Sequence, residues 1–345
     1  MKSYIRIGVD LAKNVFQVHA LSEEGTPALQ RKLSRAKFLD FFQNIAPSQI
    51  GMEACATAHH WARALQALGH EVVLIPPAYT KPYVKRGKND AVDAEAICEA
   101  MSRPGMRFVP VKTVDQQALL GLHKQRELLI KQQTMAVNAL RAFLAEFGLI
   151  AAKSIERVPH LLAIGRESKM LPATAKARIE IDAEVLCTLA KAIDGLEQEI
   201  SRHHACNPVS QLLDGVPGIG TLIASAVVAY VPNPEHFRSG RDFSAWLGLT
   251  PREHSSGGKS KLGRISKQGN PYLRKLLVLA ATSLLRVQPQ RRGPLAEWVR
   301  ELLARKPARL VTVALANRLA RILWAMMKSG EEFRMIIFAR GVAAA

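Results

Sequence analysis

The stretch IRIGVDLAKNVFQVHAL, residues 5–21, decides the fold of the N-terminal part of the chain. It holds two short runs rich in β-branched and aromatic residues, broken at Lys13 and Asn14 by turn-like chemistry, and so predicts a β-hairpin. Working outward, a polar helical segment is expected over 34–45. The apolar run SQIGMEAC (48–55), a helix over about 58–69 and a strand EVVLIPP (71–77) closed by two prolines follow. Strands alternating with helices predict an α/β domain on a mixed sheet, ending near Pro104 or Pro110.

Beyond it, residues 114–147 contain no proline and carry apolar side chains at helical spacing. Leu119, Leu140 and Phe147 share one heptad phase, interrupted by Arg126 and Gln133, while Leu122, Leu129, Ala136 and Phe143 share the next position. A second helical segment, about 173–203, is placed to fold back as an antiparallel coiled-coil arm, a common dimer contact, or to pack on its own domain. From Gln211 onward, LLDGVPGIGTLIASAVVAYV has the layout of helix, glycine-rich turn and helix. Such a turn lets backbone N–H groups, here at Gly218 and Gly220, approach a phosphate. A plain turn between packed helices is the competing reading. The apolar helix around PARLVTVALANRLARILWAMM (307–327), with Arg309, Arg318 and Arg321 interspersed, reads as core.

Composition narrows the function. The 345 residues are 48% hydrophobic and 22% charged, ordinary for a globular chain of about two domains, but the formal net charge of +19 points to a polyanionic partner. No run approaches the roughly 20 uninterrupted apolar residues of a membrane span, and no secretory signal is read near the N-terminus. Cys55, Cys98, Cys187 and Cys206 lack metal or disulfide spacing and read as reduced cytoplasmic thiols.

Four acids occupy positions that metal-dependent phosphoryl transfer uses. Asp10 ends the first strand, Glu53 lies in an apolar run, and Asp90 and Asp93, three apart in KNDAVDAEAICEAM, share one face if that segment is helical. A carboxylate in an apolar strand is costly unless paired or bound to a cation. Taken singly, each has a structural explanation as a turn residue, an ion pair, an N-cap or a solvated face. Together, their order over a strand-rich domain matches the carboxylate layout of RNase H-like nucleases. An actin-like kinase also opens with such a hairpin, but no matching glycine-rich phosphate loop follows. His59 with His60, and His203 with His204, are adjacent pairs that diverge by about 100° on a helix, so they read as structural.

The densest cationic stretch lies between Arg238 and Lys275, with nine Lys or Arg against two acids. Within it, WLGLTPREHSSGGKSKLGRISKQGNPYLRKL (246–276) places Ser255 and Ser256 before Gly257 on a loop flanked by Arg252, Lys259, Lys261, Arg264, Lys267 and Arg274. That density is a phosphate-binding surface. A serine there can donate a hydrogen bond to phosphate or attack it.

IGVDLAK, IGMEAC, KNDAVDAEAI, GVPGIG and LGLTPREHSSGGKSKLGRISKQGNPYLR together resemble the DEDD transposases of insertion-sequence family one-ten, in its eleven-eleven branch, the bridge-RNA-guided serine recombinases. The resemblance runs through nearly the whole chain. It implies a RuvC-like (RNase H-like) domain over 1–110, a helical coiled-coil arm over 111–205, and a mostly helical transposase domain with a helix-hairpin-helix element and serine loop over 206–345. It implies that Asp10, Glu53, Asp90 and Asp93 hold Mg²⁺, and that Ser256 is the nucleophile with Ser255 its one-residue alternative. The implied partners are donor and target DNA, a guide (bridge) noncoding RNA, and further copies of the chain as a dimer or a synaptic tetramer. No membrane partner is implied, and the implied location is the bacterial cytoplasm at the nucleoid. The residues alone leave two alternatives open: a structure-selective endonuclease using only the carboxylates, and a nonenzymatic DNA-binding protein.

Overall fold

The computed structural model describes residues 3–84, 90–254, 261–287, 290 and 293–333. The chain divides into two units, Met1–Val114 and Asp115–Ala345.

Unit 1 is built on a five-stranded mixed sheet. Strands β1 (Arg6–Leu11) and β2 (Val15–Leu21) form the expected hairpin, and β3 (Pro27–Ser34) adds an antiparallel edge. After the short helix α1 (Phe38–Gln43), β4 (Gln49–Glu53) pairs parallel to β1. Helix α2 (Ala58–Ala67) then leads to β5 (Glu71–Ile75), parallel to β4, giving the order β3-β2-β1-β4-β5. The third strand departs from the sequence expectation. PALQRKLS carries only Leu29 and Leu33 as large apolar residues, and only Leu33 is buried, because an edge strand has little to cover.

One face of the sheet packs Ile7, Val9, Phe16, Ile50 and Met52 against Phe38, Phe42 and Trp61 from α1 and α2, with edge-to-face ring contacts at 4.7–5.1 Å. The other face carries Gly8 and Gly51, register partners on β1 and β4. After a short turn of helix, α3 (Pro77–Thr80), the helix α4 (Asp90–Met101) lies on those glycines. A Cβ at Gly8 would fall on the carbonyl oxygen of Ala94 and 2.8 Å from the amide nitrogen of Cys98; one at Gly51 would meet Met101 Cγ at 2.7 Å.

Unit 2 begins with two long helices, α5 (Val114–Ala145) and α7 (Ala173–Ala205), separated by α6 (Val158–Glu167). They run antiparallel: Leu119 and Leu120 pack with Ile200, Arg126 bonds Glu197, and Val137, Leu140 and Leu144 pack with Ile179 and Leu186. The heptad is regular on α7, where Ile179, Leu186, Ile193 and Ile200 are buried. On α5 the second seam position is His123, Val137 and Leu144, one residue on from the phase of Leu122, Leu129, Ala136 and Phe143, which are only half-buried. Helices α8 (Pro208–Asp214), α9 (Thr221–Tyr230), α10 (Gly240–Trp246), α11 (Pro271–Val287), α12 (Pro294–Leu303) and α13 (Ala308–Ser329) build the largest core. A two-stranded hairpin, β6 (Pro251–Glu253) with β7 (Leu262–Ile265), stands between α10 and α11. By length and composition α13 is long and apolar enough to cross a membrane, but half of its most apolar stretch is buried among these helices, in keeping with a core helix.

His123 is fully buried and joins α5 to this core. Its Nδ1 lies 3.1 Å from Tyr272 Oη and its Nε2 3.1 Å from Ser225 Oγ, which in turn donates to the carbonyl of Leu222 at 3.2 Å. The network assigns the proton to Nε2, with Tyr272 donating to Nδ1. Burial, reinforced by Arg126 and His203, lowers the His123 pKa to about 4.

Two outcomes follow from these contacts. Gly8→Ala destabilises unit 1 by roughly 3 kcal/mol, because backbone must move, whereas Gly51→Ala costs about 1 kcal/mol, because the Met101 side chain can shift; urea unfolding of the two variants measures the ranking. The depressed pKa of His123 means that folding excludes the charged form. Its contribution is complete above pH 6.5 and is lost as pH falls through 6.5 toward 4, a loss of about 3 kcal/mol. Unfolding free energies against pH, for wild type and His123→Gln, should diverge over that window.

Candidate active site

Side chains two residues apart on a strand share a face. Asp10 and Glu53 follow Gly8 and Gly51 by two residues on neighbouring parallel strands, so both lie on the face covered by α4, one residue beyond the last register pair Val9–Met52. Because the two glycines let α4 sit directly on β1 and β4, its first turns reach the same end of the sheet. There Asp93 is half-buried, as are Asp10 and Glu53. The Glu53 carboxyl titrates above its ordinary range, first because it is buried and second because Asp93 is close, with Lys81 opposing both. Asp90 opens α4, three residues before Asp93, and its side chain lies outside the described residues. Lys81 was not legible in the sequence: nothing in AYTKPYVK marks it, and it is delivered by the turn that follows β5.

Among the described residues no group of three or more His, Cys, Asp or Glu is close enough to hold a metal ion. The donors that do converge suit a hard divalent cation all the same. They are carboxylate oxygens only, and burial and the nearby Asp93 raise the cost of ionising Glu53, which a cation beside it would relieve.

The adjacent histidines do other work. His59 accepts from the Lys112 amide at 3.2 Å, and His204 Nδ1 lies 2.8 Å from Ser210 Oγ.

In unit 2 the basic segment forms an exposed hairpin. Pro251 pairs with Ile265, Glu253 with Leu262, and the His254 amide donates to the Lys261 carbonyl at 2.9 Å. Ser255, Ser256, Gly257 and Lys259 lie outside the described residues. Arg252, Lys261, Arg264 and Lys267 are exposed along the strands and their return. The hairpin's base is tightly built: a Cβ at Gly269 would fall on the Trp246 carbonyl oxygen, and Arg274 Nη1 donates to the carbonyls of Leu247 (2.9 Å) and Gln268 (3.0 Å). Arg274 therefore braces the turn that carries the cations. Lys267 has φ 55°, a left-handed conformation rarely taken by a residue with a side chain. Between α8 and α9, Gly218 takes φ +83° and leaves room for Leu284, while Gly220 caps α9 with its carbonyl; both glycines are exposed.

Known proteins resemble this sequence along nearly its whole length. Residues 7–148 match the DEDD transposase model of the IS110 group, and residues 210–295 match the model described as Transposase IS116/IS110/IS902 family. A protein of Sinorhizobium fredii is 48% identical over 335 residues, covering 97% of this chain and 87% of its own length. The transposase of insertion sequence element IS1328 from Yersinia enterocolitica is 40% identical, with 96% and 99% covered. That of IS1111A from Coxiella burnetii is 37% identical, with 97% and 92% covered. The chain belongs to the IS110/IS116/IS902 family of transposases. This transposase is accordingly a DNA-processing enzyme of an insertion sequence. The N-terminal family match contains Asp10, Glu53, Asp90 and Asp93, and the C-terminal one contains strands β6 and β7 and the sequence between them, Ser255 and Ser256 included.

Removing one of the two repelling carboxylates should relax the site. In metal-free transposase, Asp93→Asn lowers the Glu53 pKa toward its ordinary value, read by carboxyl-selective carbon NMR. It also raises the melting temperature slightly at neutral pH, since a buried like-charge contact is lost.

Proposed function

We propose that the transposase is an RNA-guided, Mg²⁺-dependent DNA recombinase that cuts and rejoins strands through a covalent link to Ser256. The observations that support the reading are the placement of Asp10 and Glu53 on one face at the ends of the parallel strands β1 and β4, and the nearness of Asp93 on α4 to Glu53, inside the part that matches DEDD transposases. In a RuvC-like site Asp10, Glu53, Asp90 and Asp93 hold Mg²⁺, which when bound offsets charge building on the phosphate oxygens. The exposed cations Arg252, Lys261, Arg264 and Lys267, with Lys259 between them in sequence, bind the DNA backbone around the serine. The glycine-rich turn at Gly218 and Gly220, read as a helix-hairpin-helix element, adds backbone donors to phosphate.

Ser256 Oγ forms a bond to phosphorus as one sugar–oxygen bond to that phosphorus breaks, and the serine proton leaves while the departing sugar oxygen takes one up. A sugar hydroxyl of the exchanged strand then attacks the phosphoserine, breaks the Oγ–P bond and restores the serine. Bond count and phosphodiester energy are conserved, so rejoining requires no nucleotide cofactor. Sequence choice resides in the guide RNA, while the protein contributes backbone and shape contacts. The exposed apolar residues Met135 on α5 and Ile181 on α7, each 62% accessible, support a coiled-coil contact between copies. A bacterial cytoplasmic location at the nucleoid accords with a DNA substrate.

The match to DEDD transposases favours a second reading, cleavage by the carboxylates alone with the serine binding phosphate. One experiment separates them. Wild type, Ser256→Ala, Ser255→Ala and Asp93→Asn are incubated with Mg²⁺, RNA from the element's flank and matching DNA, and resolved on denaturing gels. The recombinase yields a protein–DNA adduct that Ser256→Ala abolishes, Ser255→Ala retains, and Asp93→Asn reduces by roughly a hundredfold or more. Free cleaved DNA without adduct, unchanged by Ser256→Ala, establishes the carboxylate nuclease instead.

A further inference from the structure

We propose that unit 1 carries a separate site for single-stranded RNA, a cleft of 450 Å³ between the edge strand β3 and helix α1, lined by Arg31, Lys37, Asp40, Phe41 and Asn44 among others. The inference rests on the RNA-guided reading above and locates where the protein grips the RNA.

Three observations carry it. First, Arg31 and Lys37 line the cleft, and both are exposed. Among the described residues, Arg31 and Lys37 form no ion pair, so this charge is left for an outside anion. Second, the cleft has a flat π floor: the Arg31 guanidinium lies over the Phe41 ring, 5.5 Å from its centroid. A planar cation on an aromatic ring offers a surface on which an unpaired base stacks, with Lys37 in the same lining for a flanking phosphate. A duplex, whose bases already stack on one another, cannot use that floor.

Third, Asp40 sits in the same lining. A carboxylate is unfavourable beside phosphate, but it accepts a hydrogen bond from a ribose 2′-hydroxyl, a donor that DNA lacks. The Asn44 side chain donates to the Asp40 carbonyl at 2.8 Å and steadies this end of α1. The cleft is built from α1 and β3, on the side of the sheet where Phe38 and Phe42 pack, whereas Asp10 and Glu53 face α4 on the other side. RNA held there leaves the carboxylate end open to DNA.

The test uses full-length transposase in EDTA and fluorescence anisotropy with a labelled single-stranded RNA of about twelve nucleotides, and DNA of the same sequence. Arg31→Gln and Phe41→Leu should each weaken RNA binding roughly tenfold. Asp40→Ala should erase a preference for RNA over DNA, and Lys153→Gln, an exposed cation in unit 2, should change binding less than twofold or so. Circular dichroism checks that each variant is folded, and Arg31→Gln alters only an exposed side chain. In a second measurement, RNA carrying 4-thiouridine should crosslink to the peptide spanning residues 31–44. If wild type binds RNA while Arg31→Gln and Phe41→Leu bind equally well, or the crosslink maps elsewhere, the cleft is refuted and RNA guidance stands. If the variants instead lose binding of an acidic peptide and not of RNA, the surface is a protein interface. If wild type binds no RNA, the guided reading itself falls.

Discussion

The absence of side chains at Gly8 and Gly51 is the constraint on which unit 1 depends. Helix α4 approaches β1 and β4 so closely that a single added carbon would overlap the Ala94 carbonyl. That distance sets where the first turns of α4 come to rest, and therefore where Asp93 stands relative to Glu53. A bulkier pair of residues would lift the helix and move Asp93 away from Glu53, whose pKa it now helps to raise. Two glycines without chemistry of their own thus determine the geometry of groups that have it. The opposite face of the sheet, packed with Phe16, Phe38, Phe42 and Trp61, supplies the burial that tolerates the arrangement.

Charge is distributed by function. The acids near the end of β1 and β4 are half-buried, and burial together with Asp93 makes the charged form of Glu53 unfavourable, a cost that a nearby cation would offset. The cations of the β6–β7 hairpin, in contrast, are exposed along strands and carry no comparable penalty; their support is spent on backbone geometry, through Gly248, Gly269 and the two carbonyls bound by Arg274. A phosphate-binding surface needs only density and exposure, while a metal-binding one needs precise convergence. This difference explains why the hairpin could be found by counting charges and the carboxylate site required a fold.

The parts legible in the sequence were those with a strong local signal. The β1–β2 hairpin, β4, β5 and the two long helices follow from period and turn chemistry, and the four acids could be singled out by their setting: Asp10 at a strand end, Glu53 in an apolar run, and Asp90 and Asp93 by a spacing of three. Strand β3 was hidden because an edge strand with one buried leucine has no pattern to detect. The seam on α5 was misphased by one residue because Leu122 and Leu129 are as apolar as the true seam members, and periodicity alone cannot rank them; a buried histidine at position 123 gives no apolar signal at all. Lys81 was missed because its place beside Glu53 is set by the turn after β5, which no local pattern encodes.

The α5–α7 pairing shows why polar residues interrupt a seam that leucines could fill. Arg126 occupies a seam position and bonds Glu197 at 2.8 Å, while His123 is held between Tyr272 and Ser225. Apolar contacts tolerate sliding by a turn, since one leucine replaces another at small cost. A buried hydrogen-bonded histidine does not, because moving it strands its partners without bonds in a dry interior. The Arg126–Glu197 contact therefore fixes the register of the two long helices near one end, His123 fixes α5 against α9 and α11, and apolar burial supplies the adhesion along the rest. Tyr272 lies two residues past Asn270, whose side chain caps the start of α11 directly after the hairpin. The same residues that lock α5 in register thereby tie it to the base of the cationic hairpin, so a displacement of the long helix would be felt where that hairpin is anchored.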